Sequence, residues 1–173
     1  MENVILVNAQ DQELGLMEKM EAHRQGLLHR AFSVFVFNDH NELLIHQRAA
    51  HKYHSKNLWT NTCCSHPRQH ETVIEAAHRR LQEEMGFDCE LSSQFSFIYQ
   101  AELEDGLSEH ELDHVLIGKW NGVPPFNVEE VQNYRYISLD NLEREIASHP
   151  EHFTVWFKIA LPQVLERIKN TAA

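Results

Sequence analysis

The stretch from Ser65 to Phe87, SHPRQHETVIEAAHRRLQEEMGF, constrains the fold more than any other part of the chain. Val73, Ala77, Leu81 and Met85 recur every fourth residue and Gly86 follows them. Glu71 to Met85 therefore reads as a helix with one apolar stripe, closed by a glycine that accepts the left-handed cap. A single stripe needs one surface to cover it, and the flanking segments supply strands. Ala31 to Asn38 is rich in Phe and Val, and Asp39, His40 and Asn41 separate it from a second apolar stretch, Leu43 to Gln47. That pair has the composition of a hairpin.

The remaining segments alternate in type. Val4 to Val7, Phe95 to Ala101, Glu109 to Trp120 and Tyr134 to Ile137 read as strands, and Leu58 to Cys64 as extended chain or loop. Glu13 to His23 reads as a helix carrying Leu16, Met17 and Met20 on one side, capped by Gly26. Asp140 with Glu143 three residues on suggests a capping box, and Pro150 an end. From Phe153 the helical stripe Trp156, Phe157, Ala160, Val164, Leu165 and Ile168 is one that Pro162 should kink or split. No repeat or linker divides the chain, so 1–173 is expected to be a single α/β or α+β domain with a mixed sheet flanked by helices.

Composition narrows the class of function. Three cysteines, two of them adjacent, make a disulfide framework improbable and point to a reducing, cytoplasmic location. No apolar run is long enough to span a bilayer, and the start MENVILVNAQDQE lacks the basic segment of a signal peptide. A net charge of -11 opposes non-specific contact with nucleic acid or an anionic membrane. The charge is nevertheless divided. Arg48 to Arg80 holds six basic residues against two acids, whereas Leu81 to Asp113 holds ten acids and neither Lys nor Arg. Such a division fits two solvated faces, the usual meaning of a charge run, or an anionic ligand met partly by basic side chains and partly by cations that carboxylates hold, and charge alone does not choose between them.

The helix stretch resembles the Nudix box. Glu71, Arg79, Leu81, Glu83, Glu84, Gly86 and Phe87 match its pattern in type and spacing. Ser65 stands where that pattern has glycine, and Arg80 where it has glutamate. In the box, paired glutamates hold hard cations that bridge diphosphate oxygens. Exchanging one of them for Arg80 removes a cation ligand and adds a phosphate partner, which argues against a Nudix pyrophosphatase.

Thirteen histidines add a second theme. His23, His29, His66, Glu109 and Glu111 stand out as ligands, the two glutamates leaving the same face of a strand. Imidazoles with carboxylates suit Zn, Mn, Fe or Co, and five protein ligands leave at most one octahedral position open. His40, His51, His54, His70, His149 and His152 fall in turns or polar stretches and receive no role.

With GLLHRAFSVFVFN (26–38), LWTNTCCSHP (58–67), the variant box and SEHELDHV (108–115), the chain closely resembles the type I isopentenyl diphosphate isomerases, enzymes of Nudix fold. The resemblance implies a Nudix fold with additional N- and C-terminal helical elements. It implies a divalent metal, Mn2+ or Zn2+, held by His23, His29, His66, Glu109 and Glu111, and a Mg2+ bridging the substrate diphosphate to Glu84 and the backbone of Cys64. It implies diphosphate binding by Lys19, Arg48, Lys52 and Arg80, and catalysis by Cys64 and Glu111, supported by Tyr99 and Trp156. The chain would act as a monomer or weak homodimer on a small diphosphate.

Shifting a double bond requires a proton to be added to an unactivated alkene and another removed across a tertiary cation, so two acid/base groups must share one flat substrate. Basic neighbours or Mg2+ are expected to favour the Cys64 thiolate, and Glu111 with Tyr99 is expected to protonate the alkene. Cys63 should point away from the pocket, because neighbours on an extended segment face opposite ways. A non-enzymatic metal-binding scaffold would explain the histidines but leave Cys64, Trp156 and the basic stretch coincidental.

Overall fold

The computed structural model describes residues 2–172, with Thr171 and Ala172 described by backbone alone. Nine strands form one mixed sheet: β1 (Asn3–Val7), β2 (Glu13–Glu18), β3 (His29–Phe37), β4 (Glu42–Arg48), β5 (Trp59–Thr60), β6 (Cys63–Ser65), β7 (Leu91–Glu102), β8 (Ser108–Lys119) and β9 (Val131–Ser138). Four α-helices accompany them: α1 (Lys19–Gln25), α2 (Val73–Met85), α3 (Leu139–Ser148) and α4 (Val155–Ala172).

β3 is the hub. It pairs antiparallel with β1, β4 and β6, and parallel with β8 over nine residue pairs from His29↔Glu111 to Phe37↔Lys119. Its alternating side chains serve two cores, as the strand period of two demands. Phe35 and Phe37 face a core with Leu43, Ile45, Leu142, Phe157 and Val164, from β4, α3 and α4. Val34 and Val36 face the other, with Leu44, Ala76, Ala77, Leu81 and Met85, where the apolar stripe of α2 is covered. Cys63 joins the α2 side, and Cys64 packs toward the α4 side.

Three expected elements differ. Glu13–Glu18 is a strand paired with β1, because β1 offers a free edge and Glu18 stops the helix from extending backwards. The Glu18 carboxylate accepts hydrogen bonds from the backbone N–H groups of Met20 and Glu21, so α1 begins only at Lys19. α3 is capped by Ser138, whose hydroxyl accepts from Asn141 N–H, and Asp140 falls in its first turn, where a carboxylate suits the helix dipole. α4 runs through Pro162 as one helix. Pro162 lies on the exposed side of the helix, while the buried stripe of Trp156, Phe157, Ala160, Leu161 and Val164 holds both halves to the sheet.

The start of α2 is fixed by a reciprocal capping box between Thr72 and Glu75. Its end is fixed by Gly86 at φ 77°, where an added Cβ would lie 2.2 Å from the Pro125 carbonyl oxygen. Gly86→Ala is therefore expected to lower stability by about 2 kcal/mol or more, through backbone strain and overlap together. A urea midpoint equal to that of the wild type would contradict this account.

Candidate active site

The site is assembled by sheet register. Antiparallel pairing sets Tyr99 of β7 opposite Glu111 of β8, and parallel pairing sets Glu111 beside His29 of β3, so three chemically active side chains stand in one row across three strands. The Tyr99 hydroxyl donates to Glu111 Oε1, and Glu111 Oε2 lies 2.8 Å from His66 Nε2 and 3.4 Å from His29 Nε2. Two residues earlier on the same face of β8, Glu109 Oε1 lies 3.1 Å from His23 Nε2. All five expected ligands are buried, and their donor atoms form overlapping triads: His23, His29 and His66; His29, Glu109 and Glu111.

The surrounding backbone orients these rings. His23 Nδ1–H donates to the Lys19 carbonyl at 2.7 Å and His29 Nδ1–H to the Leu27 carbonyl at 2.9 Å, which leaves both Nε2 lone pairs aimed inward. His29 Nε2 and Glu109 Oε2 are buried without an aligned hydrogen-bond partner. Orphaned donor atoms of this kind among imidazoles and carboxylates fit a divalent cation. Burial works to raise the Glu111 carboxyl, but the rings of His29 and His66 outweigh it and hold Glu111 well below the usual carboxylate range. Asp113, next on this face, goes the other way: burial first, then the charge of Glu111, pushes it well up, and the Ser33 hydroxyl bonds to its Oδ2.

Cys64 reaches this row from β6, whose register places it opposite Ser33 of β3. The residues before it act as a clamp. Asn61 Nδ2 donates to the Val34 and Cys63 carbonyls, and the Thr62 hydroxyl donates to the Leu44 carbonyl while accepting from Val36 N–H. Cys63 is fully buried and Cys64 lines the cleft, so the two face opposite ways as expected. Basic neighbours alone do not produce the expected thiolate. Burial pushes the Cys64 thiol up to about 12, and Arg48 pulls against it without overcoming it.

The same cleft is lined by Lys19, Arg48, Lys52, Arg80, Glu84 and Trp156. Its cations are not bare. Lys19 pairs with Glu2 at 2.8 Å, Lys52 with Glu130 at 2.6 Å, and Arg80 with Glu84 at 2.5 Å and Glu130 at 3.4 Å. Trp156 is also engaged, with the Arg48 guanidinium 5.2 Å from its ring. In the box itself, Glu71 and Arg79 form a two-armed ion pair at 2.7 and 2.8 Å that ties the loop to α2. That pair serves the scaffold, whereas Arg80 and Glu84 serve the cleft.

Sequence reasoning missed Glu2, Glu130, Tyr53 and His54, which also line the cleft. None sits on a periodic element whose face could be read in advance. His54 departs most from its expected surface place: it is 2% exposed, with Nε2 3.2 Å from Glu109 Oε1. His46 is likewise buried, its Nδ1–H donating to the Thr62 carbonyl, and holds the clamp rather than the cleft.

Residues 27–157 match the family model of the NUDIX domain. The chain is 52% identical over 176 aligned positions, 98% of its length and 95% of the relative's, to the isopentenyl-diphosphate Delta-isomerase of Photobacterium profundum. It is 48% identical over 161 positions to that of Pectobacterium atrosepticum, covering 93% of this chain and 90% of the relative. Among solved structures, a Deinococcus radiodurans protein superposes with a TM-score of 0.72 at 20% identity, over 85% of this chain and 90% of its own. A MutT NUDIX hydrolase from Burkholderia pseudomallei follows at 0.62 and 20%, over 79% and 98%; both likenesses speak for the fold alone. The register that gathers Tyr99, Glu111 and His29, the box that carries Arg80 in place of a glutamate, and these relatives agree: the chain belongs to the Nudix superfamily and, within it, to the isopentenyl-diphosphate Delta-isomerase family.

Proposed function

We propose that this chain, acting as one domain over 1–173, interconverts isopentenyl diphosphate and dimethylallyl diphosphate in isoprenoid biosynthesis. The observation that carries the reading is that a thiol, Cys64, and a phenol-bonded carboxylate, Glu111, line one cleft together with four basic side chains. Hydrolysis of a diphosphate has no use for the thiol, and Arg80 occupies a position where a hydrolase would place a cation ligand.

Lys19, Arg48, Lys52 and Arg80 hold the diphosphate, with Glu84 and the Cys64 carbonyl as the seat for Mg2+ arriving with it. Since Glu2, Glu84 and Glu130 already neutralise three of those cations, the substrate must replace some of these pairs, and Mg2+ offsets the carboxylates that remain. A divalent ion, Mn2+ or Zn2+, held by His23, His29, His66, Glu109 and Glu111 would supply a buried positive charge that orients Glu111 and eases the loss of its proton to the alkene.

In the isopentenyl direction Glu111, aided by the Tyr99 hydroxyl, gives a proton to the terminal alkene carbon. Cys64 takes a proton from the carbon on the other side of the tertiary cation, and that electron pair becomes the new double bond. The reverse direction exchanges the two roles. Trp156 would face the cation with its π system, shared with Arg48, and a cleft filled by the substrate would keep water from capturing it. After a forward turn Cys64 is a thiol and Glu111 a carboxylate, the same state that burial and the neighbouring imidazoles favour at rest. Each new forward turn therefore needs one proton to leave the Cys64 thiol and one to reach Glu111, by direct transfer between them or by exchange through solvent.

The same reading takes the chain as a cytoplasmic enzyme, monomeric or weakly dimeric, with neither nucleic acid nor membrane as partner; its three cysteines are free, and no helix among the described residues is long and apolar enough to cross a membrane.

Incubation with isopentenyl diphosphate and Mg2+ in heavy water is expected to yield dimethylallyl diphosphate with deuterium in the newly formed methyl group. Release of phosphate without isomerised product would instead establish a pyrophosphatase. Cys64→Ala is expected to abolish isomerisation at normal metal content, while Cys63→Ala, on the α2 side of the sheet, does far less; equal losses would sink the assignment of the thiol. Alkylation of Cys64 by iodoacetamide, mapped by mass spectrometry, is expected to rise about tenfold per pH unit from about pH 7 to 10 without levelling off. An ordinary thiol would level off near pH ~8.5, and such a plateau would contradict the raised pKa.

A further inference from the structure

We propose that His54 is a fourth imidazole ligand of the buried divalent-cation centre, filling the octahedral position that the other five residues leave open. The proposal rests on the metal reading given under Proposed function and extends it to a residue outside the sheet.

His54 lies in the loop between β4 and β5, and that loop is built to bury it. The Arg48 guanidinium donates to the His54 carbonyl at 3.2 Å, and Ser55 N–H donates to Glu104 Oε1 at 2.5 Å. Ser55 and Asn57 both take left-handed backbone, at φ 51° and 66°, a conformation that side-chain-bearing residues adopt at a cost. The imidazole so placed packs perpendicular to Trp156, with ring centres 5.7 Å apart, and lies 5.7 Å from the ring of His23.

Its donor atom is positioned as those of the other ligands are. Nε2 of His54, Nε2 of His23 and a Glu109 oxygen form a triad within ligand distance of one another, sharing two members with the rest of the centre. Nε2 is buried and has no aligned hydrogen-bond partner, although Glu109 Oε1 is 3.2 Å away. Nδ1 lies 3.1 Å from the Ser55 hydroxyl, and with that oxygen accepting, His54 takes the tautomer already imposed on His23 and His29 by backbone carbonyls. A buried imidazole nitrogen without a partner is costly, and a cation beside Glu109 would satisfy it together with the orphaned Glu109 Oε2.

Four imidazole nitrogens and two carboxylates close the coordination sphere. A closed sphere leaves no place for a metal-bound water, as in structural rather than hydrolytic sites. The ion would then act on Glu111 by charge and position only, which suits a reaction that water would spoil.

The test loads the wild-type chain and His54→Gln with Co2+ alone, counts imidazole ligands by X-ray absorption and measures affinity by competition with a chromophoric chelator. Four imidazoles are expected in the wild type and three in the variant, with affinity weakened about 10- to 100-fold. Three imidazoles in both proteins overturn the proposal even if affinity falls, because His54 then only positions Glu109. Equal affinities overturn it too. If the variant does not fold, the wild-type count alone decides. A wild-type chain that binds no Co2+ refutes the underlying metal reading itself, an outcome distinct from a centre with three imidazoles.

Discussion

Two carboxylates, Glu109 and Glu111, are buried on one face of β8, and the rest of the site is arranged around that liability. A buried charge left unpaired costs several kcal/mol, so each must be met by donors or a cation. The imidazoles of His23, His29, His54 and His66 surround them, and the Tyr99 hydroxyl completes Glu111. These partners come from five separate segments. The parallel pairing of β3 with β8 is what makes the arrangement possible, since a shift of one residue would turn both glutamates into the opposite core.

The cleft beyond them shows the same economy of charge. Lys19, Lys52 and Arg80 are half-neutralised by Glu2, Glu130 and Glu84, so a diphosphate bound among them, as proposed, would have to displace part of these pairs. The arrangement avoids a bare cluster of cations in the free protein. On the proposed reading it also gives a divalent ion a reason to accompany the diphosphate: carboxylates that balance the lysines and arginines would otherwise repel the phosphate oxygens. Arg80 illustrates the change from the usual box, for it links Glu84, Glu130 and the cleft where a glutamate would have offered only another negative charge.

Much of this could be read in advance where side chains lie on regular elements. The α2 stripe, the alternation of β3 and the two-residue spacing of Glu109 and Glu111 predict their own faces, and the motifs predict the company they keep. The readings that failed concern competition between elements. Glu13–Glu18 became a strand because β1 had an edge to fill, and α4 continued through Pro162 because its buried stripe outweighed one missing hydrogen bond. The Cys64 thiol was expected to be pulled toward thiolate by basic neighbours, but desolvation opposes them more strongly.

His54 marks the boundary between the two kinds of information. By itself the sequence marked the candidate ligand and acid/base residues, through motifs that resemble a known family, and through local periodicity the helix that carries Arg80 and Glu84 and the opposite facing of Cys63 and Cys64. Only the tertiary structure decided which loop residues join them. His54, Tyr53 and Glu130 lie on segments without period, so their burial depends on contacts with Glu104, Arg48 and Lys52 rather than on any pattern in their own neighbourhood. A loop histidine is polar surface by default, and it becomes a partner of Glu109 because two left-handed residues and a buried arginine turn it inward.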